Sequence, residues 1–239
     1  MKLQNLLIVS VLVLLFLISC SKKDSGTNSI YLQPSNVHAL IVIPRGLEIQ
    51  ADNGNSNADT VIAFMNNANN INQYSVEFVV PDNAKTMVSN NDTVLYTWTS
   101  SVFSCWMTFI QLADKYTWTL DLQSSQIPRF TYISAQELKS NQAGSWIINN
   151  TDGSNTVLWD YNYFITGPVC TTTINYYKPG GTISKFIYID GGQNSGNFMY
   201  YEGSMKRTDV IWNSDGSGNW MIYSNGKLPF TGSWTLTGK

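Results

Sequence analysis

The chain has 239 residues, of which only 13% are charged and another 13% are aromatic, and its formal net charge is −2. A typical soluble domain carries about 25% charged residues, so this low charge, together with many Asn, Ser, Thr and Gly residues, is typical of an extracellular β-protein. Nucleic acid is excluded as an expected partner because phosphate binding needs a patch of Lys and Arg, and no basic cluster follows Lys23.

The first 19 residues have the pattern of a signal peptide. Lys2 supplies a positive charge, and Leu6–Ile18 is apolar except for Ser10. A membrane-spanning helix needs about 20 apolar residues, so this run is too short to cross a bilayer but suits the hydrophobic part of a signal peptide. We therefore expect residues 1–19 to be removed.

Leu17-Ile18-Ser19-Cys20 resembles the lipobox of bacterial lipoproteins. The resemblance implies that Cys20 is diacylated on its sulfur and becomes the mature N-terminus, so that a lipid anchor holds the protein to a membrane. An ordinary signal peptide followed by a chance cysteine is the alternative. Residues 21–29 are small and polar, which predicts a flexible tether behind Cys20.

Two further resemblances concern the destination of the protein. Ser21 stands where enteric lipoproteins retained in the inner membrane carry Asp, which implies the outer membrane of a Gram-negative bacterium. Lys22-Lys23-Asp24 is similar to the charged signal of Bacteroidetes-type surface lipoproteins. The expected location is the cell envelope, with a lipid anchor in the outer membrane and with the periplasmic and surface-exposed faces both left open.

The N-terminal part of the chain begins with one predicted strand and one predicted helix. Residues 37–44 are a short apolar run next to two prolines, which predicts a buried strand. His38 within it is predicted to be structural, because a single histidine cannot build a zinc site of the usual kind. Apolar residues at three- and four-residue spacing predict a helix over 59–72, with Asp59 as its cap.

The apolar residues then recur at every second position instead of every third or fourth, which predicts strands. These strands are expected at 74–80, 93–99, 104–110 and 116–122. Ser134 followed by Glu137 has the spacing of a capping box and predicts about two turns of helix, up to Asn141.

From residue 141 to the C-terminus the sequence predicts an antiparallel β-meander. Asp-Gly, Gly-Gly and Asn-Gly pairs, which supply the tight turns of β-hairpins, separate its aromatic and β-branched runs. The predicted strands are 145–149, 156–164, 171–178, 182–189, 197–202, 208–213, 219–224 and 230–237. The turn pairs are Asp152-Gly153, Gly180-Gly181, Gly191-Gly192, Asp215-Gly216 and Asn225-Gly226.

An internal repeat supports the meander. Gly196-Asn-Phe-Met-Tyr-Tyr recurs 22 residues later as Gly218-Asn-Trp-Met-Ile-Tyr. That spacing corresponds to one hairpin with its turns, so the repeat is interpreted as structural. Each glycine is expected to end a turn, and each following aromatic is expected to be the first inward residue of the next strand.

Gly144-Ser145-Trp146 at the head of the meander resembles the Gly-x-Trp opening of lipocalin-like and related calycin barrels. In that family the tryptophan closes one end of the barrel, so the resemblance implies such a role for Trp146. The chain as a whole is also similar to uncharacterised Bacteroidetes-type lipoproteins, a resemblance that implies no activity.

The predicted fold class is mainly β, with α+β character in the N-terminal part. We expect an antiparallel up-and-down meander, sandwich or barrel-like, with one or two short helices. The expected organisation is a signal peptide (1–19), a lipidated cysteine with its tether (20–29), a β-rich part (30–140) and the meander (141–239). The last two are expected either as separate parts or as one continuous domain, 30–239.

Once Cys20 is lipidated, Cys105 and Cys170 remain as an even pair. In an oxidising compartment such a pair predicts a disulfide. The alternative is two buried thiols that act as small hydrophobic residues.

Aromatic residues on alternating positions are the candidates for ligand binding. Trp159, Tyr161 and Tyr163 share one face of a predicted strand, and exposed rings of this kind can stack on sugars. The alternative is that these rings fill a β-core, where Trp and Tyr bury large areas. The full candidate set is Trp159, Tyr161, Tyr163, Tyr201, Trp212 and Trp220.

The expected function is a lipid-anchored cell-envelope protein that serves as a binding or structural module. The alternative is a surface carbohydrate-active enzyme or glycan-binding protein that uses the aromatic strands. An enzyme would need a pair of acids, for which Asp160, Asp190, Glu202 and Asp209 are available. No catalytic constellation is recognisable, and no metal or cofactor is expected. The expected partners are the membrane, through the anchor, and a glycan, a small apolar ligand or another protein.

Overall fold

The computed structural model describes Pro34, residues 41–90 and residues 92–236. The predicted signal peptide, Cys20, the tether and His38 lie outside the described residues. Of the predicted strand 37–44, only residues 41–44 are described, and they belong to no helix or strand.

A helical segment precedes the sheet. It consists of α1 (Arg45–Asp52), α2 (Ser56–Asn69) and a 3-10 helix (Asn70–Phe78). The predicted helix 59–72 corresponds to α2, but the cap is Asn55, whose side chain accepts hydrogen bonds from the backbone N–H groups of Asn57 and Ala58. Helix α2 turns its small and apolar residues inward: Ala58, Val61, Met65 and Ala68 are buried.

Two predictions in this half of the chain are wrong. The predicted strand 74–80 is largely occupied by the 3-10 helix, which continues directly from α2 and buries Ile71 and Phe78 against the core. The predicted helix from Ser134 is part of strand Phe130–Leu138, along which Ile133, Ala135 and Glu137 are buried in alternation. In both segments tertiary packing overrides a local sequence signal.

Within the described residues thirteen strands follow, and they confirm the prediction of a mainly β, antiparallel meander. Their bounds are β1 Lys85–Ser89, β2 Thr93–Thr99, β3 Ser104–Gln111, β4 Lys115–Gln123, β5 Phe130–Leu138, β6 Ala143–Asn149, β7 Val157–Thr166, β8 Val169–Tyr176, β9 Ser184–Gly192, β10 Ser195–Glu202, β11 Met205–Trp212, β12 Gly218–Ile222 and β13 Phe230–Trp234. Each strand pairs with the next one along the chain, so β1 and β13 lie at the two edges of one open sheet. The sheet is continuous from β5 to β6, across residue 141.

The helical segment covers one face of the sheet, here called the inner face. At the β13 end, Gln50 accepts a hydrogen bond from the indole N–H of Trp220 (3.1 Å) and donates one to the carbonyl oxygen of Ser233 (2.7 Å). Further along, the Phe64 ring lies 4.7 Å from the Tyr200 ring. The core therefore lies between the helical segment and the inner face, and the opposite, outer face carries most of the polar strand residues.

Phe78, at the end of the helical segment, packs against Trp146 with ring centroids 5.2 Å apart. Trp146 also contacts Tyr161 on the neighbouring strand, at 5.3 Å. The tryptophan of the Gly-x-Trp motif is thus buried between the sheet and the 3-10 helix.

Several glycines of the repeat lie within strands and face an aromatic ring on the neighbouring strand. Gly196 pairs with Trp212, and Gly218 pairs with Trp234. A Cβ atom on Gly218 would collide with the Trp234 ring and with the carbonyl oxygen of Ile211. The interpretation that each glycine only ends a turn is therefore incomplete, because these glycines make room for the ring across the strand pair.

Candidate functional site

The predicted aromatic candidates fall on both faces of the sheet. Five of them, Trp159, Tyr161, Tyr163, Trp212 and Trp220, belong to the core and are at most 6% exposed. The sixth, Tyr201, is half-buried on the outer face, where the ammonium group of Lys206 lies 5.8 Å from its ring. This burial is what the core-filling alternative predicts.

Burial suppresses the ionisation of the tyrosines on the inner face. Burial raises the pKa of Tyr161 and of Tyr163, because a phenolate would lose its hydration there. Burial also raises the pKa of Tyr188, on β9, to about 12. These hydroxyl groups therefore stay protonated at neutral pH.

The predicted disulfide between Cys105 and Cys170 is wrong, because both residues are free thiols. Cys105 lies on β3 and Cys170 on β8, with four strands between them. Five strand spacings amount to about 24 Å along the sheet, whereas a disulfide needs Cα atoms within about 7 Å. Burial raises the pKa of the Cys105 thiol to about 11, so this residue behaves as a small hydrophobic side chain.

The four candidate acids are each engaged by a neighbouring group. Asp160 accepts hydrogen bonds from Asn175 and from the Tyr177 hydroxyl. Asp190 accepts from the backbone N–H of Gly192 at 2.9 Å. These contacts bind the first two acids into the local structure of the sheet.

The other two acids form ion pairs. Glu202 pairs with Arg207 at 2.6 Å, and Asp209 pairs with Lys206 at 2.7 Å. Within residues 41–90 and 92–236, no cluster of three or more His, Cys, Asp or Glu side chains could hold a metal ion.

A different group of side chains, here called the Trp106 site, lies on the outer face near the β1 edge. The strand register places Lys85, Thr97, Trp106, Asp121 and Thr131 directly opposite one another across β1 to β5. Residues directly opposite one another in an antiparallel sheet point to the same face. The row therefore brings five side chains from five strands together.

Arg129 lies against the Trp106 ring. Its guanidinium lies over the indole, 4.5 Å from the ring centroid. The same guanidinium donates two hydrogen bonds to Asp121, at 3.0 and 2.7 Å. Thr131 donates to the other oxygen of that carboxylate at 2.9 Å. The carboxylate thus holds the guanidinium, and the guanidinium covers part of the indole.

Two adjoining grooves, of about 460 and 360 Å³, border the Trp106 side chain. The first extends over β1 and β2 along Lys85 and Thr97. The second follows the β2–β3 turn and the end of β4 as far as Ser125. Thr99, Ser104 and Trp106 line both grooves. Their volumes lie in the range of small-ligand sites, about 300–1,000 Å³.

The position of Trp106 within β3 is a sequence signal for this site, although the aromatic residues of the meander are more numerous and draw attention first. Along β3, Cys105, Met107 and Phe109 are buried in alternation. Trp106 falls on the opposite parity, so its large ring must lie on the outer face. A tryptophan whose strand position points away from the core is a stronger candidate for ligand contact than aromatic residues at alternating positions that point into the core.

The comparisons with known proteins provide no relative from which a role could be taken. No family model, no curated protein and no solved structure matches this chain. In the described part of the chain, no helix is both long enough and apolar enough to span a bilayer.

Proposed function

We propose that this protein is a lipid-anchored binding module of the cell envelope and that the Trp106 site is where its ligand binds. The proposal combines the lipobox-like sequence at Cys20 with a surface on the outer face of the sheet. The observation that carries it is the pair of grooves that meet at Trp106, a ring over which the Arg129 guanidinium lies.

Preorganisation supports a binding role for this ring. Ordering a surface side chain when a ligand binds costs up to about 0.5–1.5 kcal/mol, and this cost is smaller when the side chain already has contacts that limit its rotamers. Asp121 accepts hydrogen bonds from Arg129 and Thr131, and the Arg129 guanidinium positioned in this way lies over the indole. A restricted aromatic surface beside two grooves is a favourable arrangement for binding.

The anchor is tested by labelling cells with radioactive palmitate. We expect the wild-type protein to incorporate the label and to fractionate with the outer membrane. The Cys20→Ala variant should lose both properties. Label on Cys20→Ala, or a wild-type protein without label, would contradict the anchor. Protease treatment of intact cells then distinguishes the surface-exposed face from the periplasmic face.

The binding role is tested with the mature protein, produced with its own signal sequence and purified in mild detergent. After incubation with a whole-envelope extract, native mass spectrometry records what remains bound. We expect a saturable added mass on the wild-type protein and its loss in Trp106→Ala. The matched control is Phe164→Ala, which removes an exposed aromatic ring on β7, away from the grooves. No added mass on the wild-type protein, or equal loss in both variants, would refute the proposed site.

A further inference from the structure

We propose that the ligand of the Trp106 site is a glycan, one sugar ring of which stacks on the indole while its neighbours occupy the two grooves. This inference rests on the proposed function above and adds the chemical class of the ligand. It is carried by three properties of the site: the exposed aromatic surface, the chemistry of the groove walls and the way in which the grooves connect.

The aromatic surface is the first property. Trp106 is half-buried and lines both grooves, so the part of the indole that Arg129 leaves uncovered faces them. One side of a pyranose ring carries several C–H bonds, and these pack against the electron-rich face of an aromatic ring. Tryptophan offers the largest such face among the side chains and accepts positively polarised groups best.

The groove walls are the second property. They carry hydroxyl groups on Thr97, Thr99 and Ser104 and side-chain amides on Asn83 and Gln123. Hydroxyl and amide groups can both donate and accept hydrogen bonds, as sugar hydroxyls do. An apolar ligand would leave any of these groups that it covers without a hydrogen-bond partner, which disfavours such a ligand.

Charge distinguishes a sugar from a phosphate-rich ligand. Lys85 is the single charged residue in the lining of the two grooves. Arg129 lies beside them, but its guanidinium already pairs with Asp121 at 2.7 Å. A multiply charged anion would need several free cations. The lining therefore favours a neutral sugar or one with a single acidic group near Lys85.

The connection between the grooves is the third property. Because Thr99, Ser104 and Trp106 belong to both, the grooves form one path that bends around the indole. A monosaccharide would fill only the centre of this path. An oligosaccharide could place one unit on the ring and one in each groove, so the geometry favours a chain of about three units over a single sugar.

The experiment is a glycan array probed with the detergent-purified mature protein, followed by titration of the best oligosaccharide and of its constituent monosaccharide. We expect saturable binding of the oligosaccharide and much weaker binding of the monosaccharide. Trp106→Ala should weaken oligosaccharide binding about tenfold or more, equivalent to about 1.4 kcal/mol. Phe164→Ala should bind like the wild type.

A second variant tests the site independently, in case Trp106→Ala fails to fold. Thr99 is exposed and lines both grooves, so Thr99→Trp should obstruct the path without touching the core. We expect it to abolish oligosaccharide binding while its unfolding transition stays at the wild-type position. Unimpaired binding by Thr99→Trp would overturn the inferred path.

The array and the envelope extract separate the two proposals. If the array is negative and the extract yields a bound protein or lipid that depends on Trp106, the glycan inference fails and the proposed function stands. If neither yields a ligand, both fail. If a glycan binds and Trp106→Ala binds it equally well, the site is wrong for both proposals.

Discussion

Trp106 and Trp118 lie on adjacent strands of the same sheet, yet they belong to different regions of the molecule. Trp118 is on the inner face, 1% exposed, with its ring 5.6 Å from that of Phe109. Trp106 is on the outer face, half-buried, and contacts a guanidinium that is itself partly in solvent. The difference follows from strand parity alone, since neighbouring positions on a strand point to opposite faces.

Aromatic content therefore says little about function until each ring is assigned to a face of the sheet. On the inner face, large aromatic side chains fill the core between the single helical segment and the thirteen described strands. The outer face has no such need, so a large ring there requires a separate explanation. Substitutions on the two faces and in the helical segment test this difference.

The largest effect is expected for the inner face. Trp118→Ala leaves a large cavity in the core, so we expect a loss of about 3–5 kcal/mol in the free energy of unfolding. The matched outer-face substitution, Trp106→Ala, should cost about 1–2 kcal/mol, the combined scale of partial apolar burial and one exposed cation–π contact. Urea unfolding followed by circular dichroism measures both. Equal losses for the two variants would remove the distinction between the faces.

The next effect concerns the glycines of the inner face. Gly218→Ala inserts a methyl group where the Trp234 ring already lies. Overpacking of this kind costs about 1–3 kcal/mol. Asn219→Ala is the control, because residue 219 is adjacent but exposed. Thermal unfolding should show a clear decrease for Gly218→Ala and almost none for Asn219→Ala, and the opposite ranking would show that the glycine–tryptophan pair is not required.

A smaller, pH-dependent effect is expected from Glu77 in the 3-10 helix. Burial raises the pKa of Glu77, and Tyr74, Tyr132 and Cys105 are the titratable groups that face it. A raised pKa means that the folded state holds this proton more tightly than the unfolded chain does. Its stabilisation is complete below the ordinary pKa of a glutamate and is lost as the pH rises through the raised value.

The Glu77→Gln variant should therefore lose this part of the pH dependence and be more stable than the wild type at neutral pH. Unfolding titrations between pH 4 and 8 measure the effect. Glu48→Gln, on α1, removes a half-exposed carboxyl and controls for the loss of one negative charge. If Glu77→Gln and the wild type keep parallel pH profiles, the carboxyl is more hydrated than its position indicates.

The smallest effect is expected for the ion pair on the outer face. Asp121→Asn removes the charge opposite Arg129, whose side chain is 46% exposed. A pair of this kind contributes about 0.2–1 kcal/mol, and salt reduces that contribution. We expect a small loss of stability at low ionic strength that shrinks in 1 M salt. A loss above about 2 kcal/mol, independent of salt, would assign Arg129 to the core.

The strands were the easiest part of the fold to predict from the sequence. Alternation of aromatic and β-branched residues marks β2, β3 and β4, and glycine turns mark the hairpins of the meander; Gly153 and Gly216, for example, both have a positive φ. The segment 74–80 was predicted wrongly because its β-forming residues are held in a 3-10 helix by packing on the sheet. No local pattern records that contact.

The candidate site was harder to predict because its parts are distant in sequence. Lys85, Trp106 and Asp121 come together through strand register, and Arg129 reaches the indole from the segment before β5. The parity of Trp106 could have been noted from the sequence. The grooves depend on where strands end and turns bend, which the sequence pattern does not specify.

The position of Gln50 has a consequence for the order in which the protein can fold. This early residue bonds to Trp220 and Ser233, which lie 170 and 183 residues further along the chain. A chain that emerges N-terminus first therefore presents α1 long before its partners exist. Contacts between residues so far apart in sequence slow folding. Helix α1 can form these hydrogen bonds only after β12 and β13 have been synthesised. Truncation of the β12–β13 hairpin would therefore remove the hydrogen-bond partners of Gln50.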